Sequence, residues 1–280
     1  MTIFARVLGS PFSGVYSTHI DSDQHFGRHW HDTYGFGFLE HGAQTWLSGR
    51  GTVRGYPGDV ISTNPGEVHD GRPLGRPTRR WRILYVDVDL MTQVTDRARP
   101  AEIKEPVLHD AVLLRSLRST FKRLERWNAC RTEQPRRVQS LAFEEALVQA
   151  CVRLMSLHGS PPHAPAVPSA DLQQVRERLA DDSSSVPNLA ELARMTGLSR
   201  YQVLRRFTKV YGLPPHAWLL RRRAERARLL IRDGRTLAAA ALECGFVDQS
   251  HMTRAFVRQF GFTPGAWRMA SRPVCNSVQD

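Results

Sequence analysis

Cysteine is scarce: the chain has four, Cys130, Cys151, Cys244 and Cys275, and no two of them form a CxxC pair. That leaves no zinc ribbon and no disulfide framework to organise the fold, and it fits a reducing, cytoplasmic setting. No apolar run approaches the roughly 18 residues of a membrane span, and the opening MTIFARVLGSPFSGVYS lacks the apolar core of a secretory signal. A soluble chain with no membrane partner is therefore expected. Lysine is nearly missing too. Only Lys104, Lys122 and Lys209 are lysine among 39 basic residues, so arginine carries the formal charge of +12. Helical periodicity is absent from Phe4 to about Asp89.

What is present is arginine, unevenly placed. From Asp171 onward the net charge is +8, against +4 before it. Guanidinium groups suit bidentate contacts to phosphate and guanine, so a basic second half points to a polyanionic partner. An arginine-rich composition alone would give the same excess. At 280 residues the chain can bury a good core and is long enough for about two domains.

The first stretch reads as short strands at Gly35 to Leu39, Ala43 to Leu47, Asp59 to Thr63 and Trp81 to Asp87, separated by glycine and proline turns. Many short strands with frequent turn signals predict an antiparallel barrel or sandwich, whose interior can hold a small ligand. Helical spacing begins near His109, with Leu113, Leu117, Phe121 and Leu124 on one stripe. After a turn at Glu133-Gln134-Pro135, a second stripe carries Leu141, Leu147, Ala150, Cys151 and Leu154. Such an αα-hairpin either packs only within the chain or also forms a homodimer, and the pattern leaves both open. The proline-rich segment 158–170 reads as a linker. The domains are therefore expected at 1–157 and 171–280, the second almost wholly helical.

Within that second half one passage is written twice. LAELARMTGLSRYQVLRRFTKVYGLPPHAWL begins at Leu189, and LAAAALECGFVDQSHMTRAFVRQFGFTPGAWR begins at Leu237. Gly197 matches Gly245 at an offset of 48 residues, and Arg205 matches Arg254 at 49, so the copies differ by one insertion. Each copy predicts a helix-turn-helix, over about 189–211 and 237–260, with glycine at the corner and Ser199 or Asp248 capping the second helix. Val203, Leu204 and Phe207 are expected inward. Outward, and expected to read base edges in a major groove, are Arg200, Tyr201, Gln202 and Arg205 in the first copy. Gln249, Ser250, His251 and Arg254 take that place in the second. Ser199, Arg206, Lys209, Arg258 and Arg268 are expected at DNA phosphates. A linking helix over about 215–232 would place the two readers about one DNA turn, near 34 Å, apart.

Residues Leu189 to Arg268 resemble the DNA-binding domain of the AraC/XylS family of bacterial transcription regulators. The resemblance is carried by GLS at Gly197, LRRF at Leu204, GLPPHAWL at Gly212, RAERARLLI at Arg223 and, most specifically, ECGFVDQSHMTRAFVRQFGFTPGAWR from Glu243. It departs at Met252, where an aromatic is commonest, and at Val257, where lysine is frequent. The resemblance implies an activator that binds promoter or operator DNA through two unequal readers and engages RNA polymerase.

Upstream, HWH at His29 to His31 and PGDVISTNPGEVH from Pro57 resemble the cupin-like effector domain often fused to that DNA-binding domain. The fold expected is α+β: a cupin-like barrel with an αα-hairpin, then an all-α domain. His29, His31, Tyr34, Trp46, His69, Arg82 and Tyr85 are the effector-binding candidates, with Trp81 a further pocket wall. His29, His31 and His69 also form a candidate three-histidine metal set. The glutamate of metal-binding cupins is missing, because Gly35 and Phe36 occupy its place, and no cofactor is expected. The reading is a transcription regulator controlled by a small molecule, and not an enzyme. The alternative is a cupin-type metalloenzyme fused to a nucleic-acid-binding module.

Overall fold

The computed structural model describes residues 3–49, 51–75, 78–97, 99–160, 169–181 and 186–271. The N-terminal unit opens with nine strands: β1 (Ile3–Gly9), β2 (Val15–Ser22), β3 (Phe26–His29), β4 (Thr33–His41), β5 (Ala43–Ser48), β6 (Gly51–Gly55), β7 (Val60–Thr63), β8 (His69–Leu74) and β9 (Arg79–Asp87). Then come α1 (Val88–Val94), β10 (Glu102–Ile103), β11 (Val107–Leu108), α2 (Ala111–Ala129), α3 (Glu133–His158) and β12 (Gly159–Ser160). One sheet has the order β1-β2-β9-β4-β7-β11 and another β3-β8-β5-β6, and every pairing within them is antiparallel. The barrel expected from the strand pattern is there.

Side-chain parity divides the six-stranded sheet between two cores. From β4 and β9, Tyr34, Phe36, Phe38, Leu84 and Val86 pack against α2 and α3. Alternate residues, Leu39, Trp81 and Ile83, turn the other way and meet Ile20, Trp46 and Ile61 between the sheets. At Gly37 a Cβ would lie 1.8 Å from the carbonyl oxygen of Arg82, so only glycine permits β4 and β9 to approach there.

The helical hairpin forms with two corrections. Helix α3 already begins at Glu133, with Pro135 tolerated in its first turn, where a missing N–H costs little. Leu141 is 59 % exposed and lies off the buried stripe of Leu147, Ala150, Cys151 and Leu154. The linker expected over 158–170 starts later: His158 ends α3, and Gly159–Ser160 pairs with Glu102–Ile103. Its proline-rich part, 161–168, lies outside the described residues.

Asp110 ties the hairpin together. Its carboxylate caps α2 by accepting from the N–H groups of Val112 and Leu113, and it accepts a two-pronged pair from Arg153 and a third bond from His158 Nε2. Burial raises its pKa, but the Arg153 and Leu113 hydrogen bonds outweigh this and hold the carboxyl below the ordinary range. Asp110→Ala should destabilise the chain by about 2–3 kcal/mol, from the lost cap and the charged bonds together. Because the folded-state pKa is depressed, that difference should be full at neutral pH. It should shrink as pH falls below about 3.9, which denaturant titrations at two pH values would measure.

The C-terminal unit comprises α4 (Ala170–Ala180), α5 (Leu189–Thr196), α6 (Arg200–Tyr211), α7 (Pro215–Arg232), α8 (Leu237–Glu243), α9 (Gln249–Phe260) and α10 (Pro264–Ser271). It has two cores. Leu172, Val175, Leu192, Val203, Phe207 and Leu219 fill one, around α4 to α6. Ala227, Ile231, Ala241, Met252, Phe256 and Trp267 fill the other, around α8 to α10. Helix α7 contributes to both and so acts as the strut between two helix-turn-helix units.

Candidate nucleic-acid interface and effector cavity

Each reader is shaped by a left-handed corner followed by a cap. Gly197 has φ 65° and Gly245 φ 72°, conformations that L side chains adopt only with strain. The Ser199 hydroxyl accepts from the Gln202 N–H while Gln202 Oε1 accepts from the Ser199 N–H, closing a capping box on α6. Asp248 caps α9 through the His251 N–H. Phe207 and Phe256 anchor the two helices in their cores and are fully buried.

The faces turned outward carry the predicted side chains. Arg200, Tyr201, Gln202 and Arg205 are exposed on α6, with Arg206 and Lys209 alongside. Gln249, Ser250 and Arg254 are exposed on α9, as is Arg258, whereas His251 is half-buried against the ring of Phe246 at 5.3 Å. Arg268 is half-buried on α10. Leu204 corrects one expectation: it is 38 % exposed, so Val203 and Phe207 alone point into the core from that turn. Gln202 is accessible, but its amide oxygen is committed to the cap.

Within the barrel, a cavity of about 90 Å³ lies between the sheets. Its walls include His29, His31, His69, Trp46, Trp81 and Tyr85. His31 does not reach it by strand alternation, since β3 ends at His29; the loop that follows turns His31 back beside its neighbour. Ring centroids lie 5.0 Å apart for His29 and His31, 4.4 Å for His29 and His69, and 5.5 Å for His31 and His69. Burial, followed by mutual proximity, lowers the pKa of His29 and His31, and burial also lowers that of His69.

Two predicted wall residues lie elsewhere. Tyr34 shares the helix-facing parity of Phe36 and Phe38, and its hydroxyl donates to Ala101 O on that side. Arg82 faces the same way and pairs with Glu40 and Glu125. Arg79 belongs in the cavity and was not singled out from the sequence. It is 1 % exposed and donates to Gln44 Oε1, Gln24 O and Gly71 O. Burial lowers its pKa to about 10, so it stays charged. Its place follows from strand parity, two residues before Trp81.

The AraC-like ligand binding domain family matches residues 13–151, and a helix-turn-helix domain family matches residues 192–270. Together they span more than three quarters of the chain. The chain belongs to the AraC family of transcriptional regulators. Over 235 residues it is 29 % identical to the uncharacterized HTH-type transcriptional regulator YbfI of Bacillus subtilis, covering 82 % of each chain. It is 35 % identical over 82 residues to the virulence regulon transcriptional activator VirF of Yersinia enterocolitica, covering 29 % of this chain and 30 % of that one. ToxT of Vibrio cholerae overlaps 98 % of both chains at 8 % identity and a TM-score of 0.47.

In this AraC-family regulator the second reader unit is docked on the barrel. Tyr16 of β2 sits in the core of the C-terminal unit, 4.9 Å from the ring of Trp267, and stacks at 4.6 Å on Tyr85 of the cavity wall. Arg228 lies over Tyr16 at 5.2 Å and over Trp267 at 5.5 Å. Glu225, on the linking helix, accepts from Arg228 Nε at 2.9 Å and from Gln259 Nε2 at 3.1 Å, and Gln259 also donates to Trp30 O. Phe260 and Gln259, from the end of α9, line the barrel cavity itself. Helix α9 therefore ends in the cavity wall.

Proposed function

We propose that this regulator activates transcription from cytoplasmic promoter DNA by setting α6 and α9 into successive major grooves. A small-molecule effector in the barrel controls that engagement. The observation that carries the reading is the pair of capped helices with glycine corners whose exposed faces present arginine, glutamine and serine. Arg200, Tyr201, Gln202 and Arg205, and Gln249, Ser250, His251 and Arg254, read base edges; bidentate arginine suits guanine and glutamine suits adenine. Ser199, Arg206, Lys209, Arg258 and Arg268 neutralise or bond phosphates. His29, His31, His69, Trp46 and Tyr85 contact the effector. RNA polymerase is the partner that converts binding into activation.

The same reading separates 1–157 and 171–280 as the sensing and binding domains. It also takes the chain as a homodimer through α3, whose Val138, Leu141 and Val152 are exposed at positions sharing one face. Sedimentation should show a concentration-dependent dimer that Leu141→Glu dissociates; a monomer at every concentration would remove this part.

Selection of bound fragments from a promoter library by the full chain tests the main reading, and a specific site should be recovered. Four phosphate-facing cations predict that log affinity for that site falls with log salt at a slope of roughly −4, and Arg258→Ala should reduce its magnitude by about 1. A salt-insensitive complex would count against the phosphate assignment.

A further inference from the structure

We propose that His29, His31 and His69 hold a divalent transition-metal ion of the zinc type, and that this ion locks the second reader unit onto the barrel through Glu225. The three histidines each offer a ligand atom, and those atoms lie within 4.8 Å of one another. A common point at metal–nitrogen distances of about 2.0–2.1 Å requires these atoms to close to about 3.4 Å of one another.

The outer ring nitrogens fix the tautomers such an ion requires. Nδ1 of His29 lies 2.8 Å from Gly27 O, and Nδ1 of His69 lies 2.8 Å from Glu67 O. A carbonyl oxygen only accepts, so each Nδ1 carries the proton and each Nε2 keeps a lone pair for a metal. Nδ1 of His31 is buried without a hydrogen bond, 3.4 Å from Oε1 of Glu225. That carboxylate also only accepts. Backbone carbonyls and a carboxylate behind ligating histidines are the outer supports that metal sites use.

The donor set selects the metal class. Three imidazole nitrogens and no coordinating carboxylate suit zinc, cobalt, nickel or copper rather than calcium or magnesium, which need oxygen. The glutamate absent from the sequence motif is not needed for a three-nitrogen site, whose fourth position opens to the cavity. Trp46 and Trp81 wall that cavity and Arg79 adds a buried positive charge, so an anion is the natural fourth ligand.

Coupling follows from where Glu225 sits. It belongs to α7, is 2 % exposed, and joins His31 of the barrel to Arg228 and, through Gln259, to the end of α9. Metal at His31 makes its Nδ1–H a stronger donor and tightens that contact; by linkage, docking of the C-terminal unit tightens metal binding. The regulatory consequence rests on the reading of the chain as a promoter-binding regulator. The metal site does not.

The test uses the full chain, stripped with chelator and titrated with cobalt(II) as a spectroscopic stand-in for zinc. One cobalt per chain should bind and give the visible bands of a four-coordinate site, and His29→Ala with His69→Ala should abolish both. Glu225→Gln should keep the stoichiometry and weaken affinity about 10- to 100-fold, an effect that a merely structural glutamate would not have. With zinc, amides of wild-type α7 and the end of α9 should exchange more slowly, a readout independent of that variant's folding. A folded wild-type chain that binds no cobalt, or binds it equally without the histidines, overturns the site. Unchanged exchange with zinc bound overturns the lock. Affinity for the selected promoter fragment should differ with and without zinc; equal affinity overturns the regulatory consequence, whereas failure to bind any DNA in either state defeats the promoter reading and leaves the metal bands standing.

Discussion

Glu225→Ala should cost about 3–5 kcal/mol of stability, because it strands a buried charge. Glu225 and Arg228 are 2 % and 3 % exposed, one helical turn apart on α7, and their ion pair lies beneath Tyr16 and Trp267. Burial lowers the Arg228 pKa, but Glu225 and Tyr16 more than restore it and leave it above the ordinary arginine value, so the guanidinium cannot shed its charge. Removing the carboxylate also leaves one Gln259 hydrogen bond unmade. Replacing both members of the pair, Glu225→Leu with Arg228→Met, should cost far less, since no lone charge then remains inside. Denaturant unfolding of the three proteins measures the difference. A loss below about 1 kcal/mol in Glu225→Ala would mean that water reaches the pair and screens its charge.

The second large effect is on DNA. Arg205→Ala and Arg254→Ala each remove one bidentate donor, worth about 1–3 kcal/mol, and because the residues stand on different helices without shared contacts the losses should add. The double variant should then bind its selected site about 2–6 kcal/mol more weakly, near the level of non-specific binding, while its fold is intact because both side chains are fully outside the cores. Each single variant should also relax preference at one part of the site only. Equal relaxation at both parts would show that the two helices do not read separately.

The doubled passage was legible because a repeat tests itself. Gly197 and Gly245 take the same backbone conformation, Phe207 and Phe256 the same buried place, and the linking helix falls on the same bounds, Pro215 to Arg232. Apolar spacing was less secure for residues at the margin of a stripe. Leu141 and Leu204 fit the period, yet they are 59 % and 38 % exposed among the described residues. In the barrel, aromatic and basic character marked Tyr34 and Arg82, whereas strand parity places both on the helix side. Applied to β9, the same parity would have found Arg79 along with Trp81 and Tyr85. Helix α9 and the cavity are a different matter. Gln259 is separated from Trp30 by 229 residues and Glu225 from His31 by 194, so no local pattern announces that the C-terminal unit lines the barrel cavity.

The central claim is that one chain reads DNA with two unequal helices. Hydroxyl-radical footprinting of the full chain on its selected promoter fragment tests it most directly. Two protected windows on one face, centred about 10 base pairs apart, are predicted, with Arg205→Ala weakening one window and Arg254→Ala the other. A single window, or two windows that both variants leave unchanged, would contradict it.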